Sequence, residues 1–340
     1  MFSKKGFAVV FKYIFVGLVG AIILAFFINV ARQQFTLGSY KSATEIGATI
    51  DDALEAFSIT PEQADKSLHF GTNLKFYVNK NADRGVNFCN QISVDKGQTV
   101  THSKIIFAPI VLSGKSVSIW TRTWYFPFKA GSFFYISNQR IKYHLVTDDI
   151  AIRSIISEIP RNRFNIVTDA PSSATQALAN SEAANFDNVK FVFFNTHPNI
   201  VHNDKIDVLE INFDSGSENK YGTLKFNDGQ DTFFIGKEML YGAVFSGNKQ
   251  SYECARGVAL KRLSLVADVY LKKAQSLPSN VMGNERSCVK YDQIISLLDA
   301  LKRSDAIMQS TYANILSSLI NPLIAANREA AGAGECVAVF

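Results

Sequence analysis

The sequence predicts an α/β protein, α+β overall, carried behind one apolar membrane segment. Three observations predict it: an uncharged run near the N-terminus, short strand-like runs punctuated by Asn, Asp and Gly over 68–136, and alternation of strands with helices over 139–246. Strand–helix alternation argues for a parallel, doubly wound unit. Two amphipathic helical stripes follow over 254–324, and 325–340 is a tail.

Taken in order, residues 1–12 form a short tail and 13–31 a transmembrane helix. Tyr13 to Val30 gives eighteen residues without a charge, about the apolar length that crosses a bilayer core. Lys4, Lys5 and Lys12 precede the run and Arg32 follows it. The denser basic flank is N-terminal, which keeps the tail in the cytoplasm and places the rest outside. No second run of this kind follows, so a single-pass protein is expected, with the lipid bilayer as partner of 13–31.

The same start supports a second reading. Lys4-Lys5-Gly6 followed by Phe7-Ala8 and the apolar run resembles an archaeal prepilin-like signal, cut between Gly6 and Phe7. The resemblance implies a freed apolar helix packing into a filament core. The Glu usual at the fifth mature position of bacterial pilins is absent, and Phe11 stands there. A cleaved secretory peptide fits poorly, because the apolar segment is longer than an h-region and no clear A-x-A site follows.

Over 39–58 an amphipathic juxtamembrane helix is expected. Ile46, Ile50, Leu54 and Phe57 recur on one helical face, and Pro61 ends the helix. The β-rich region 68–136 contains the runs Leu74–Val78, Val86–Val94, Lys104–Phe107, Ser116–Phe126 and Ser132–Ile136. In one of them Trp120, Arg122 and Trp124 share a strand face, with Arg122 placed to stack on the indoles. These three are a candidate binding surface, or core packing.

In the α/β region, Ile141–Thr147, Arg163–Thr168 and Val189–Phe194 read as strands, and Ala151–Glu158 and Ser172–Ala184 as helices. The third strand is nearly continuous in apolar residues, the pattern of burial on both faces. The helical stripes Val258, Leu263, Val266, Val269, Tyr270 and Tyr291, Ile294, Ile295, Leu298, Leu301 predict a hairpin whose second helix runs on to Ile320 and is interrupted at Pro322.

The net charge is +5, and setting aside Lys4, Lys5 and Lys12 leaves +2 for the remainder. No clustered Lys/Arg run occurs there, so a nucleic-acid footprint is not expected. The four cysteines Cys89, Cys254, Cys288 and Cys336 contain no C-x-x-C pair. With the domain outside, two disulfides are expected. A helix of about 20 residues spans roughly 30 Å, so the two starts of an antiparallel hairpin lie too far apart for Cys254–Cys288. Of the two connectivities left, Cys254–Cys336 is expected, because Cys336 follows the second helix and the chain has returned to the end where Cys254 lies; Cys89–Cys288 then follows by elimination.

Two groups are candidate metal ligands. Asp148, Asp149 and Asp169 fall at strand ends, where open α/β sheets bind ligands, and clustered carboxylates suit Mg²⁺; the alternative is helix capping. His197 and His202 with Asp204 have a spacing that a zinc site could use. Nucleotide-binding glycine motifs and the G-x-S-x-G elbow are absent, and no cofactor is expected.

The segments Ile105–Pro109, Leu112–Lys115, Trp120–Thr121 and Trp124–Phe128, with the Lys5-Gly6-Phe7 start, Leu240–Ser246 and Cys336, resemble a group of uncharacterised archaeal single-pass membrane proteins. The resemblance implies an anchor with an external domain and brings no activity with it. The sequence thus points to a membrane-anchored extracytoplasmic scaffold or interaction protein of the cell envelope, with a protein partner or self-association. The alternatives are a pilin-like filament subunit and a divalent-metal-dependent enzyme using the strand-end carboxylates.

Overall fold

The computed structural model describes residues 45–56, 63–78, 91–95, 100–101, 104–173, 175–213, 221–227, 231–277, 290–303, 316–332 and 338–340, with isolated positions between 19 and 28. Among them the chain is mixed α/β, with two six-stranded mixed sheets and seven α-helices. No helix of the described residues is long and apolar enough to cross a membrane. Most of the expected span 13–31 lies outside those residues, as do Gly6 and Phe7.

The amphipathic stripe of 45–56 (α1) packs on the protein's own first sheet. Ile50 and Leu54 are buried and Ile46 packs against the core. Lys104 reaches from the sheet to Glu55 on the exposed side of α1.

The first sheet contains β1 (Gln63–Val78), β2 (Gln91–Val94), β3 (Val100–Thr101), β4 (Ile105–Phe107), β5 (Val111–Tyr125) and β6 (Lys129–Ser137). Their order is β3-β2-β1-β5-β6-β4. All neighbours are antiparallel except β4, which runs parallel to β6. β1 and β5 are 16 and 15 residues long, longer than the turn signals suggest. They stay paired across a register shift between His69 and Leu74.

The second sheet contains β7 (Ile141–Val146), β8 (Asn165–Asp169), β9 (Asn188–Phe194), β10 (Ile206–Phe213), β11 (Tyr221–Lys225) and β12 (Asp231–Ile235), in the order β12-β11-β10-β9-β7-β8. β10, β9, β7 and β8 are parallel and the other two join antiparallel. Helix α2 (Ile150–Ile156) links β7 to β8 and buries Ile152, Ile155 and Ile156 in the main core. Helix α3 (Gln176–Asn185) links β8 to β9 and buries Ala179 and Ala183 in a separate cluster with Val146, Phe191 and Phe193. The crossover helices therefore enter different cores, as strand–helix alternation leads one to expect.

Between the sheets lies α4 (Lys237–Phe245), which contacts strands of both. Every residue from Glu238 to Phe245 is buried. Such a helix shows no amphipathic period, because no face meets water, and periodicity alone does not reveal it. Its tyrosines end on backbone: Tyr241 Oη donates to Ile155 O at 2.9 Å, and Tyr135 Oη donates from β6 to Glu238 O at 2.8 Å.

α5 (Lys249–Ser276) and α6 (Lys290–Lys302) form the expected helical hairpin. Asp268 on α5 holds Lys302 at 2.7 Å, and Ser264 Oγ donates to Lys302 O. The expectation at the C-terminus needs correction. The helix does change at Pro322, as expected: a π-helical turn, Leu316–Ile320, runs directly into α7 (Asn321–Gly332), whose second residue is Pro322; what differs is the tail. The first half of the segment expected as a tail belongs to this helix, with Ala326, Asn327 and Ala330 buried. Asn327 accepts from Val339 N at 2.7 Å and donates to Phe340 O at 2.7 Å, so the C-terminal residues are held against it.

Candidate functional site

An opening lies where the sheets meet, at the amino ends of β7, β9 and β10. It is a cleft of about 640 Å³, with Lys75, Ile110 and Ser113 on one wall and Arg140, Asp187 and Lys205 on the other. Parallel sheets usually bind ligands at the carboxyl ends of their strands; here the space is at the opposite end. Three of the wall charges, Arg140, Asp187 and Lys205, are used internally. Arg140 grips Asp187 through two bonds of 2.6 and 2.5 Å, which hold the Asp187 carboxyl below its ordinary range. Lys205 Nζ donates to Ala183 O at 3.1 Å.

Asp207 and Gly247 also line a smaller recess of about 210 Å³, bounded by Lys190, Val208, Phe226, Asn227 and the first residues of α5. Lys190 sits within an otherwise apolar central strand and is 3% exposed. Its ammonium donates to Ala243 O at 2.9 Å and to Ser246 O, and lies 5.4 Å from the centre of the Phe226 ring. The carbonyl end of α4 carries partial negative charge, and Lys190 neutralises it. Burial lowers the Lys190 ammonium to a pKa of about 8, while Asp207 works in the opposite direction. Asp207 accepts from Asn227 at 2.9 Å and from Asn188 at 3.1 Å.

The candidate metal ligands are not brought together. Among the described residues no group of three His, Cys, Asp or Glu side chains is placed to hold an ion. Asp149 caps α2, accepting from Ala151 N and Ile152 N, and Asp148 is exposed. Asp169 turns instead to His144, with Nδ1···Oδ2 at 2.6 Å. His144 stacks on Phe191 at 4.5 Å, and its Nε2 is buried with no partner. His197 is almost fully exposed, 3.6 Å from Glu210, and His202 and Asp204 lie on the exposed loop. The three strand-end carboxylates are thus given separate roles and are not gathered into one ligand set.

The candidate binding surface is also corrected. Trp120 and Trp124 are both 0% exposed. The strand alternation that puts them on one face points that face at α4: Trp120 packs 5.1 Å from Tyr241 and 6.3 Å from Phe245. Arg122 lies 5.9 Å from the Trp120 ring, one of the two indoles it was expected to stack on, and pairs with Glu158 at 2.8 Å. Lys237 holds the same carboxylate at 2.8 Å.

Beside this network, burial raises the Glu238 carboxyl above its ordinary value. The folded state then binds a proton that the unfolded state has released, so stability falls as pH rises from about 4.5 through the raised value. Glu238→Gln removes that burden. The variant is expected to unfold at a higher temperature than the wild type at pH 7 and at the same temperature at pH 4. Thermal scans at the two pH values check this; an equal loss at both would show that the carboxylate is needed for its contacts.

Cys254 is disulfide-bonded, and no described cysteine is free. The other three cysteines, and so the pairings Cys254–Cys336 and Cys89–Cys288, lie outside the described residues. Lys190, Asp207, His144 and Glu238 were not singled out by sequence reasoning. The available signal was a charged or titratable residue within an apolar run, as in Val189-Lys190-Phe191 and Tyr143-His144-Leu145. Comparison of the chain with protein-family models, with curated proteins and with solved structures finds no match.

Proposed function

We propose that the chain is a single-pass, membrane-tethered interaction protein of the cell envelope, with its folded body outside the cytoplasm. The observation that carries this reading is the disulfide at Cys254, since such bonds persist in oxidising compartments and are rare in the cytosol. The uncharged run Tyr13–Val30 behind Lys4, Lys5 and Lys12 supplies the tether and its orientation. α1 fits a junction between tether and body, because its apolar face is already spent on the first sheet.

Topology is the test. Protease added to intact cells is expected to cut within the body, and the protein recovered from those cells to begin at Met1. Complete protection of the body until lysis would reverse the orientation. A mature chain beginning at Phe7 would replace the anchored protein by a processed, filament-forming subunit.

A further inference from the structure

We propose that the recess beside Lys190 binds a small zwitterion, an α-amino acid with a short aliphatic side chain. Lys190 and Asp207 are register partners on adjacent parallel strands, so their side chains leave the same face of the sheet. Both line the recess. They are not spent on each other: the ammonium donates to the carbonyls of Ala243 and Ser246, and the carboxylate accepts from the amides of Asn188 and Asn227.

Each retains capacity. An ammonium has three donors, and two are used; a carboxylate offers about four acceptor positions, and two are used. One recess thus presents a spare cationic donor and spare anionic acceptors. A simple anion would be repelled by Asp207, and a simple amine by Lys190. A ligand carrying both charges a few bonds apart satisfies both groups.

The remaining walls fit the same class. Lys249 and Gln250, in the first turn of α5, line the recess; the positive end of that helix favours a carboxylate nearby. Phe226, at least nine-tenths buried, gives an apolar wall, against which an aliphatic side chain would pack. The volume of about 210 Å³ is on the scale of a small amino acid such as alanine or valine. The proposal concerns the folded body and does not depend on which side of the membrane it lies.

The test is calorimetric titration of the full chain in detergent with glycine, L-alanine and L-valine. Saturable one-to-one binding of at least one of them is expected. N-acetyl-valine, which lacks the ammonium, and isobutylamine, which lacks the carboxylate, should each bind at least about tenfold more weakly than valine. Lys190→Met and Asp207→Asn should both abolish the saturable heat. Asp207→Asn keeps size and a hydrogen-bond acceptor, so an unchanged melting temperature makes its loss of binding specific even if Lys190→Met does not fold. No saturable heat with any amino acid, equal binding of N-acetyl-valine, or wild-type binding by Asp207→Asn would overturn the proposal.

Discussion

Replacing Trp120 by alanine is expected to destabilise the protein by about 3–5 kcal/mol, the range for removing a large aromatic side chain from a core. The ring is fully buried and touches both structural layers around it. Tyr135 lies 4.7 Å away on the neighbouring strand, Tyr241 and Phe245 lie 5.1 and 6.3 Å away on α4, and the Arg122 guanidinium stands 5.9 Å from its centre. Alanine would leave a cavity between β5 and α4. The neighbours cannot collapse into it freely, because Tyr135 and Tyr241 are held by hydrogen bonds to Glu238 O and Ile155 O. The indole N–H has no acceptor, so Trp120→Phe leaves no partner stranded and should cost much less than alanine. Denaturant titration measures both. A loss below about 1 kcal/mol for alanine would mean that the ring is not packed as described.

Gly242→Val is the second large effect, with an expected loss of about 3 kcal/mol or more, at the upper end for overpacking. Gly242 lies inside α4, where alanine ordinarily improves a helix by about 1 kcal/mol. Here a Cβ would come within 2.7–2.8 Å of three atoms of the Phe107 ring. Phe107 is 0% exposed and enclosed by Phe133, Tyr135 and Tyr252 at 5.3, 6.0 and 5.9 Å. It therefore has little room to move aside. Packing outweighs propensity, so Gly242→Ala should also destabilise, and valine should do so more strongly. The alanine variant decides between the two effects: if it melts higher than the wild type, helix propensity has won and α4 does not lie against β4 as closely as described.

The sequence by itself determined the elements whose period is visible in one dimension. α1 shows its stripe at Ile46, Ile50 and Leu54; β7, β8 and β9 appear as apolar runs closed by Asp and Asn; α5 and α6 repeat apolar residues at helical spacing. Each of these presents one face, or a short two-faced run, to a core, and burial of a face leaves a period in the sequence. The disulfide at Cys254 was anticipated too, from composition and topology.

What only the tertiary structure decided lies where a segment answers to several neighbours at once. α4 has no polar face and so no period, yet it fills the space between the sheets and sets the roles of Trp120, Gly242 and Lys190. The tryptophans share a strand face in either reading, and only the position of α4 makes that face interior. Asp149 and Asp169 look alike as strand-end carboxylates. One caps a helix and the other meets His144, because β8 ends beside β7 and brings Asp169 within 2.6 Å of the imidazole. Lys190 and Asp207, 17 positions apart in the chain, become neighbours through the parallel register of β9 and β10. Register is a property of paired strands, and no single strand carries it.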